Sequence, residues 1–271
     1  MNTNGTVIQE RGITYERFCV PVTFRCNLKC KLCAEYVPYT AKPYHPTFDS
    51  LTSQLRQLFS MVFRIGKFDL TGGEPFIRRD LAAVLSHLRL HYNDRIDIVR
   101  VTTNGTILPS AAFISEAVRW GEKIYVIIDN YPVSDKSNQI FAQLQDAAVP
   151  CELRDYSADL HCDGWVDYGD ISLKHSQEEA QRIFKKCMVP KLGFFSCMVN
   201  GVVFPCARAR LLYENSIDTV AVDLFDTKLT KREKKEQLLA LLGCEAVHAC
   251  RYCNGLCEDS PRFNPAEQLN S

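Results

Sequence analysis

Short apolar runs and longer amphipathic stretches alternate along the first 150 residues of the chain. The apolar runs are rich in β-branched and aromatic residues and predict buried strands at residues 18–24, 68–70, 96–103 and 123–129. Apolar residues at helical spacing predict helices at residues 50–63, 80–91, 110–120 and 135–147. Strand and helix alternate as a parallel α/β barrel requires, so we predict an α/β fold.

The composition is that of an ordinary globular protein. The 271 residues are 46% hydrophobic and 24% charged, and the 32 basic residues balance the 32 acidic ones. A neutral chain gives no electrostatic reason to expect nucleic acid as a partner. No apolar run approaches the roughly 20 residues that span a bilayer, and residues 1–12 are polar and unlike an export signal. We therefore expect a cytoplasmic protein with no membrane partner.

Cysteine is the unusual feature, with 13 residues in the chain. Disulfides are rare in the reducing cytosol, so metal ligation is the leading use for so many thiols. Three cysteines lie within residues 26–33 (CNLKCKLC), and most of the others lie in the last third of the chain. This distribution predicts two separate thiolate sites.

The first group, Cys26, Cys30 and Cys33, directly follows the first predicted strand. Zinc usually takes four ligands from two short loops, and no fourth ligand follows nearby here. Three thiolates from one loop suit a [4Fe–4S] cluster whose fourth iron stays open to a small molecule. The end of a strand is also where α/β barrels keep their chemistry.

This C-x3-C-x2-C loop resembles the signature of the radical S-adenosylmethionine (SAM) superfamily. Two further segments follow the family's order, TGGEP at residues 71–75 and TTNGT at residues 102–106, each after a predicted strand. The resemblance covers roughly residues 15–160. It implies a partial (β/α)6 barrel, and we take residues 1–160 as the core that carries the SAM-binding cluster.

The resemblance also implies the chemistry of this half. The open iron would chelate the amino and carboxylate groups of SAM, and an electron from the cluster would split SAM to a 5′-deoxyadenosyl radical. The residues expected to contact SAM are Leu32, Gly72, Gly73, Glu74, Thr103, Asn104 and Asp129. The glycines would let backbone approach a ligand, and Glu74 could pair with an ammonium group. Leu32 departs from the family, which commonly has an aromatic residue at that position.

The second group of cysteines surrounds a predicted β-hairpin that turns at Asn200-Gly201. Two pairs of thiols on two loops suit either a structural zinc or a second cluster. With the preceding motifs, the pattern resembles the twitch domain, a small hairpin-and-helix unit that holds one auxiliary [4Fe–4S] cluster. The expected ligands are Cys187, Cys206, Cys250 and Cys253, with Cys257, Cys197 and Cys244 in reserve. We assign residues 161–257 to the remaining barrel elements and this unit, and residues 258–271 to a polar, frayed tail.

The positions of the cysteines also resemble those of the 2-deoxy-scyllo-inosamine dehydrogenase type of twitch enzyme. This resemblance implies oxidation of a secondary alcohol in a sugar-like or aminocyclitol substrate, with the auxiliary cluster accepting an electron and flavodoxin or ferredoxin as the reducing partner. Candidate catalytic residues are Arg208, beside Cys206, and His161 and Tyr168 as possible general bases. For Arg210 a surface salt bridge is expected.

Three alternatives stay open from the sequence. The first is a maturase that modifies a ribosomally made peptide. The second is a sugar epimerase or dehydratase, which would share the first half and differ in the fate of the substrate radical. The third is a metal-binding interaction module without catalysis, in which the GGEP and TTNGT segments would have no purpose.

Overall fold

The computed structural model describes residues 6–9, 12–40, 43–156, 164–193 and 196–269. The strands in this part of the chain are β1 Thr6–Gln9, β2 Gly12–Thr23, β3 Val62–Gly72, β4 Ile96–Thr103, β5 Ile124–Asn130, β6 Cys151–Asp155, β7 Cys197–Val199, β8 Val202–Phe204 and β9 Val222–Asp223. The α-helices are α1 Phe48–Met61, α2 Leu81–Tyr92, α3 Ala111–Trp120, α4 Ser137–Asp146, α5 Gln177–Lys186, α6 Met188–Lys191, α7 Ala207–Glu214 and α8 Lys231–Gly243. Short 3-10 turns cover Val37–Tyr39, Pro75–Ile77, Asn93–Arg95, Gly121–Lys123 and His248–Tyr252.

All the described strands belong to one sheet, with the order β6-β5-β4-β3-β2-β7-β8-β9 and β1 beside β2. Strands β2 to β6 are parallel neighbours in chain order, and α1 to α4 connect them. Strand β7 joins the other edge of β2, also parallel, through the pair Cys19 and Cys197. The predicted α/β class, with alternating strand and helix, is confirmed.

The main core lies between the sheet and helices α1 to α4. Phe18, Val20 and Val22 on β2 point into it, together with Phe68 and Leu70 on β3. Because side chains alternate along a strand, the intervening residues of β2 and β3 face the opposite side of the sheet. That second side carries the buried polar groups Cys19 and Asp69, so the strands have one apolar and one chemically mixed face.

Local sequence signals set the ends of these helices. Thr47 caps α1 by accepting a hydrogen bond from the backbone N–H of Ser50. Ser110 caps α3 by accepting one from the backbone N–H of Phe113. The later helix α5 begins with a capping box between Ser176 and Glu179. The helices therefore begin where short polar residues precede an apolar repeat.

The predicted hairpin is β7 and β8, and its turn is Asn200-Gly201 as expected. Both residues have positive φ angles, 53° and 77°, which is the geometry of the tight turn that an Asn-Gly pair favours. The hairpin continues the main sheet, since β7 is paired with β2.

The expectation of a frayed C-terminal tail is wrong. Residues 266–269 lie against the first cysteine loop, where the backbone N–H of Lys31 donates to the carbonyl of Glu267 at 2.7 Å and that of Leu269 donates to Lys29 at 2.8 Å. Earlier in the tail, Phe263 pairs with Trp165. Polar composition suggested solvent exposure, but backbone hydrogen bonds do not depend on the side chain, so composition could not show this pairing.

No helix in the described ranges has both the length and the apolar character to cross a membrane.

Candidate functional site

The first cysteine loop leaves the carboxyl end of β2. Cys30 is buried, while Cys26 and Cys33 are half-buried. Leu32, the residue expected near the adenine, is half-buried on the turn between Cys30 and Cys33. Burial raises the pKa of each of the three thiols to about 11, so they are neutral until a metal binds them. Three thiols of one loop, each influenced electrostatically by another, are a donor set that suits an iron–sulfur cluster.

Gly72 and Gly73 bring the end of β3 against the start of this loop. The N–H of Gly73 donates to the Thr23 carbonyl at 2.7 Å, and the N–H of Glu74 donates to the Arg25 carbonyl at 2.9 Å. A Cβ atom would lie 2.0 Å from the Thr23 oxygen if added to Gly72, and 2.3 Å from the Arg25 oxygen if added to Gly73. The glycines were expected to make room for a ligand, and the close approach seen here is to the chain's own backbone.

The Glu74 side chain is fully buried and joins two strand ends. Its carboxylate accepts hydrogen bonds from the Asn104 N–H at 2.7 Å, the Phe76 N–H at 2.9 Å and the Thr103 hydroxyl at 3.0 Å. Burial raises its pKa to about 7 despite these three donors. Glu74 therefore ties the end of β4 to the turn after β3, and its predicted pairing with an ammonium group stays a prediction.

A small polar network connects the segment after β4 to the cysteine loop. The Asn104 amide donates to the side-chain oxygen of Asn27 at 3.2 Å and reaches the sulfur of Cys26 at 3.7 Å. The hydroxyl of Thr106 donates to the side-chain oxygen of Asn104 at 2.5 Å and accepts from the side-chain amide of Asn27 at 2.8 Å. Asn27 and Thr106 were missed by sequence reasoning, although each lies inside a motif that it used.

Asp129 lies near the end of β5, close to Glu74, and its side chain is buried. The hydroxyl of Tyr131 donates to its Oδ2 atom at 3.0 Å, while the buried Oδ1 atom has no hydrogen-bond partner. Burial raises the pKa of Asp129 to about 6. A buried carboxylate oxygen without a donor is costly, so this atom is suited to a donor from a ligand.

The second group of cysteines surrounds a cavity of about 230 Å³. Cys187 ends α5, Cys206 precedes α7, and Cys250 and Cys253 come from the turn after α8. All four line the cavity. Burial raises the pKa of Cys206, Cys250 and Cys253 to about 12. Among the described residues, no three Cys, His, Asp or Glu side chains converge as they would around a single metal ion.

The remaining wall of this cavity is mainly apolar, with residues such as Ile183, Pro190, Val247 and Ala249. Residues 34–36, which directly follow Cys33, also line it. The loop of the first cysteine group is therefore part of the wall of the second site. This contact was not predictable from the sequence, because it depends on the turn at Tyr36, whose φ is 53°.

Two of the predicted catalytic residues lie at this second site. Arg208 is buried, and its guanidinium donates to the carbonyls of Gly169, Asp170 and Tyr252 while lying over the ring of Tyr36. The ring of Tyr168 meets Tyr36 edge-on at 6.1 Å. Burial raises the pKa of Tyr168, so its phenol is protonated at neutral pH. Their catalytic roles stay predictions, and His161 lies outside the described residues.

Arg210 does not form a surface salt bridge. Its side chain is fully buried, pairs with Glu214 at 2.5 Å, donates to the carbonyl of Glu35 at 2.6 Å and lies over the ring of Phe24. The expected ion pair exists, but α7 packs so that the Arg210 side chain lies in the interior of the protein. Arg210 thereby fastens α7 to the loop that follows the first cysteines.

The three reserve cysteines differ in their positions. Cys197 is buried on β7 and lines the cavity, opposite Cys19 on β2. Cys257 borders an open polar groove behind the cavity, and Cys244 donates to the carbonyl of Leu241 at 2.9 Å.

Residues 20–126 match the sequence model of the Radical SAM superfamily. This segment contains all three cysteines of the first loop and the strand ends around it. Over this segment the chain is similar to the Radical SAM superfamily, as its motifs predicted.

Curated relatives match a stretch of similar length. A GTP 3′,8-cyclase of Syntrophomonas wolfei is 34% identical over 106 residues, which are 38% of this chain and 30% of the relative. One from Erythrobacter litoralis is 38% identical over 105 residues, again 38% of this chain and 30% of the relative. The chain thus spans about a third of the length of these relatives.

Solved structures share the fold over nearly the whole chain. BtrN in complex with AdoMet and 2-DOIA has a TM-score of 0.55 at 16% identity, covering 94% of this chain and 98% of BtrN. Native anSMEcpe with bound AdoMet has a TM-score of 0.54 at 14% identity, covering 94% and 93%. At this identity the likeness shows a common fold.

Proposed function

We propose that this protein is a radical SAM enzyme that oxidises a secondary alcohol of a sugar-like or aminocyclitol metabolite. The observation that carries the proposal is the pair of adjoining thiol sites. Three cysteines lie on the loop after β2, and six lie around the neighbouring cavity, including the four expected ligands. We assign a SAM-binding [4Fe–4S] cluster to Cys26, Cys30 and Cys33, and an auxiliary [4Fe–4S] cluster to Cys187, Cys206, Cys250 and Cys253.

The cavity supports a cluster over zinc as the occupant of the second site. A single zinc ion holds its sulfur ligands about 2.3 Å away, so four thiolates around it would leave no free volume between them. Here the four expected ligands are among six cysteines that line about 230 Å³ of space. An iron–sulfur cube is a bulkier group held by the same number of thiolates.

The first site is suited to binding a polar molecule beside its cluster. When bound, the reduced cluster and SAM supply a 5′-deoxyadenosyl radical, which can take a hydrogen atom from a C–H bond. The side chains of Asn104 and Asn27 present amides at the loop, and Asp129 keeps one carboxylate oxygen free for a ligand's hydroxyl or ammonium group. Fold neighbours that carry AdoMet support SAM as the ligand of this site.

The numbers of electrons and protons that alcohol oxidation removes explain why two thiol sites are useful. Converting a carbinol to a ketone removes two electrons and two protons, and the radical takes one of each as a hydrogen atom. The remaining proton needs a base, and Asp129, with a pKa raised to about 6, is suited to accept it near neutral pH. The remaining electron needs an acceptor, and four thiolates in an apolar cavity can hold one that has no open coordination position.

The test is anaerobic turnover of reconstituted protein with SAM, a flavodoxin or ferredoxin as the proposed reducing partner, and a panel of aminocyclitols and sugars. We expect about eight irons per chain, 5′-deoxyadenosine, and a product two daltons lighter than its substrate. A product of unchanged mass would indicate epimerisation, and loss of water would indicate dehydration. Stoichiometric zinc without iron would contradict the proposal, as would turnover of peptides alone.

Cyclisation of a nucleotide is the second candidate, because the curated relatives are named GTP 3′,8-cyclase. The family-model match ends at residue 126, before the second group of cysteines. Each curated match covers only 38% of this chain. Incubation with GTP separates the two functions, since a cyclase would consume GTP and form 5′-deoxyadenosine without any alcohol substrate. The alcohol-oxidation proposal expects no such consumption.

A further inference from the structure

The C-terminal residues 266–269 form a short strap across the first cysteine loop. Gln268 makes an isolated antiparallel bridge with Cys30. Backbone hydrogen bonds from Lys31 to Glu267 and from Leu269 to Lys29 hold the strap on either side of that bridge. The side chains of Lys31 and Glu267 also form an ion pair. The strap therefore fixes the position of one side chain, Gln268, against the middle cysteine of the loop.

The orientation of the Gln268 amide is determined by its neighbours. Its Oε1 atom accepts from the backbone N–H of Lys29 at 2.7 Å, and its Nε2 atom donates to the carbonyl of Ala266 at 2.6 Å. The first partner can only donate and the second can only accept, so a flipped amide would lose both bonds. The remaining Nε2 hydrogen points to the sulfur of Cys30, with a nitrogen–sulfur distance of 3.3 Å.

We propose that Gln268 is a positioning residue that raises the reduction potential of the cluster bound by the first cysteine loop, by donating a hydrogen bond to the Cys30 sulfur. This inference rests on the proposed function, which supplies that cluster. Reduction adds negative charge that is shared with the cysteine sulfurs. A donor to sulfur favours the more negative state, and such hydrogen bonds are among the factors that set cluster potentials.

The experiment is a redox titration of the loaded, full-length protein, followed by electron paramagnetic resonance, for wild type and Gln268→Met. Methionine has nearly the same length but no N–H donor. We expect the first cluster of the variant to have a more negative midpoint potential, so that its reduced fraction at a fixed potential falls several-fold. The auxiliary cluster, whose cavity is not lined by residues 266–269, should titrate as in wild type and serves as an internal reference.

Glu267→Gln is the matched control, because it removes the ion pair with Lys31 and leaves the Gln268 amide in place. We expect an unchanged potential for it. Gln268→Glu is the second variant, because it keeps an acceptor for Lys29 while losing the donor, and its potential should also become more negative. A loaded Gln268→Met protein with the wild-type potential would overturn the inference.

Loss of the first cluster in both Gln268 variants would overturn it as well, since the amide would then be needed to assemble the site and not to set its potential. These outcomes can be distinguished from a failure of the proposed function. If wild-type protein binds no cluster at Cys26, Cys30 and Cys33, that function fails before the titration begins.

Discussion

The two thiol sites differ in what surrounds their sulfurs. The first loop is bordered by side chains that carry amide, hydroxyl and carboxyl groups, including Asn27, Asn104 and Thr106. The second cavity is bordered mainly by aliphatic and aromatic side chains and by cysteines. Its charged residues are Glu35 and Arg208, and the Arg208 guanidinium is occupied by backbone carbonyls. Polar, partly open surroundings suit the binding of a charged small molecule, whereas an apolar enclosure suits a group that only exchanges electrons.

The two sites are also connected by a shared loop. Residues 34–36 follow Cys33 directly and form part of the cavity wall, so a single loop contacts both sites. In the proposed function, an electron would pass between two sites that share this loop. The division of labour in the proposed function therefore agrees with the way the chain is folded.

Removing one cysteine from each site, in two separate variants, has the largest expected effect. It tests directly whether the two sites have separate roles. We expect Cys26→Ala to abolish formation of 5′-deoxyadenosine, and Cys253→Ala to retain it while losing substrate oxidation. Each variant should keep about four of the eight irons, because each loses one cluster. Iron analysis and chromatography of the nucleoside products measure these outcomes. Identical behaviour of the two variants would show that the sites do not have separate roles.

Arg208→Lys is expected to damage the second site while leaving the first active. The compact lysine ammonium does not reproduce the planar guanidinium that reaches the carbonyls of Gly169, Asp170 and Tyr252. Losing two of these partly buried hydrogen bonds from a charged group would cost about 4 kcal/mol of unfolding free energy. Urea unfolding measures the loss. Arg182→Lys, at the rim of the open polar groove, is the control and should change little. If Arg208→Lys kept full stability but lost turnover, a direct catalytic role would be favoured.

Glu74 provides a pH test of the first site. Its folded pKa is raised from 4.5 to about 7, so between these values the folded state holds a proton that the unfolded state has lost. This carboxyl group therefore lowers stability as pH rises from about 4.5 to 7, by about 3 kcal/mol at most. Urea unfolding across this range should show a flatter pH dependence in Glu74→Gln. The exposed Glu16→Gln should keep the wild-type slope, and parallel slopes in all three proteins would contradict the shift.

The fold was predictable from the sequence because local signals agreed with one another. The apolar runs that became β2 to β5 alternate with helical repeats, and the Asn200-Gly201 pair marked the hairpin. The first cysteine loop was predictable for the same reason, since Cys26, Cys30 and Cys33 are close in sequence and need no tertiary contact to be grouped.

The contacts that join distant segments were not predictable. Gln268 lies more than 230 residues from Cys30, and its backbone pairing leaves no trace in composition. Arg210 was expected at the surface because arginine is rarely buried, yet Glu214, a backbone carbonyl and an aromatic ring satisfy it in the interior. Such placements depend on how elements pack, which a single sequence does not encode locally.

The smallest expected effect belongs to Cys257→Ala, and it sharpens the boundary of the second site. Cys257 is buried, but it borders the open groove and not the cavity that Cys187 lines. We therefore expect that Cys257 is not a cluster ligand. We expect about eight irons per chain to be retained, with a stability loss of about 1 kcal/mol for the lost side-chain packing. Cys187→Ala is the matched comparison and should retain about four. If Cys257→Ala lost half of its iron and Cys187→Ala lost none, the ligand set would have to be redrawn around the groove, and the apolar enclosure would no longer explain the site.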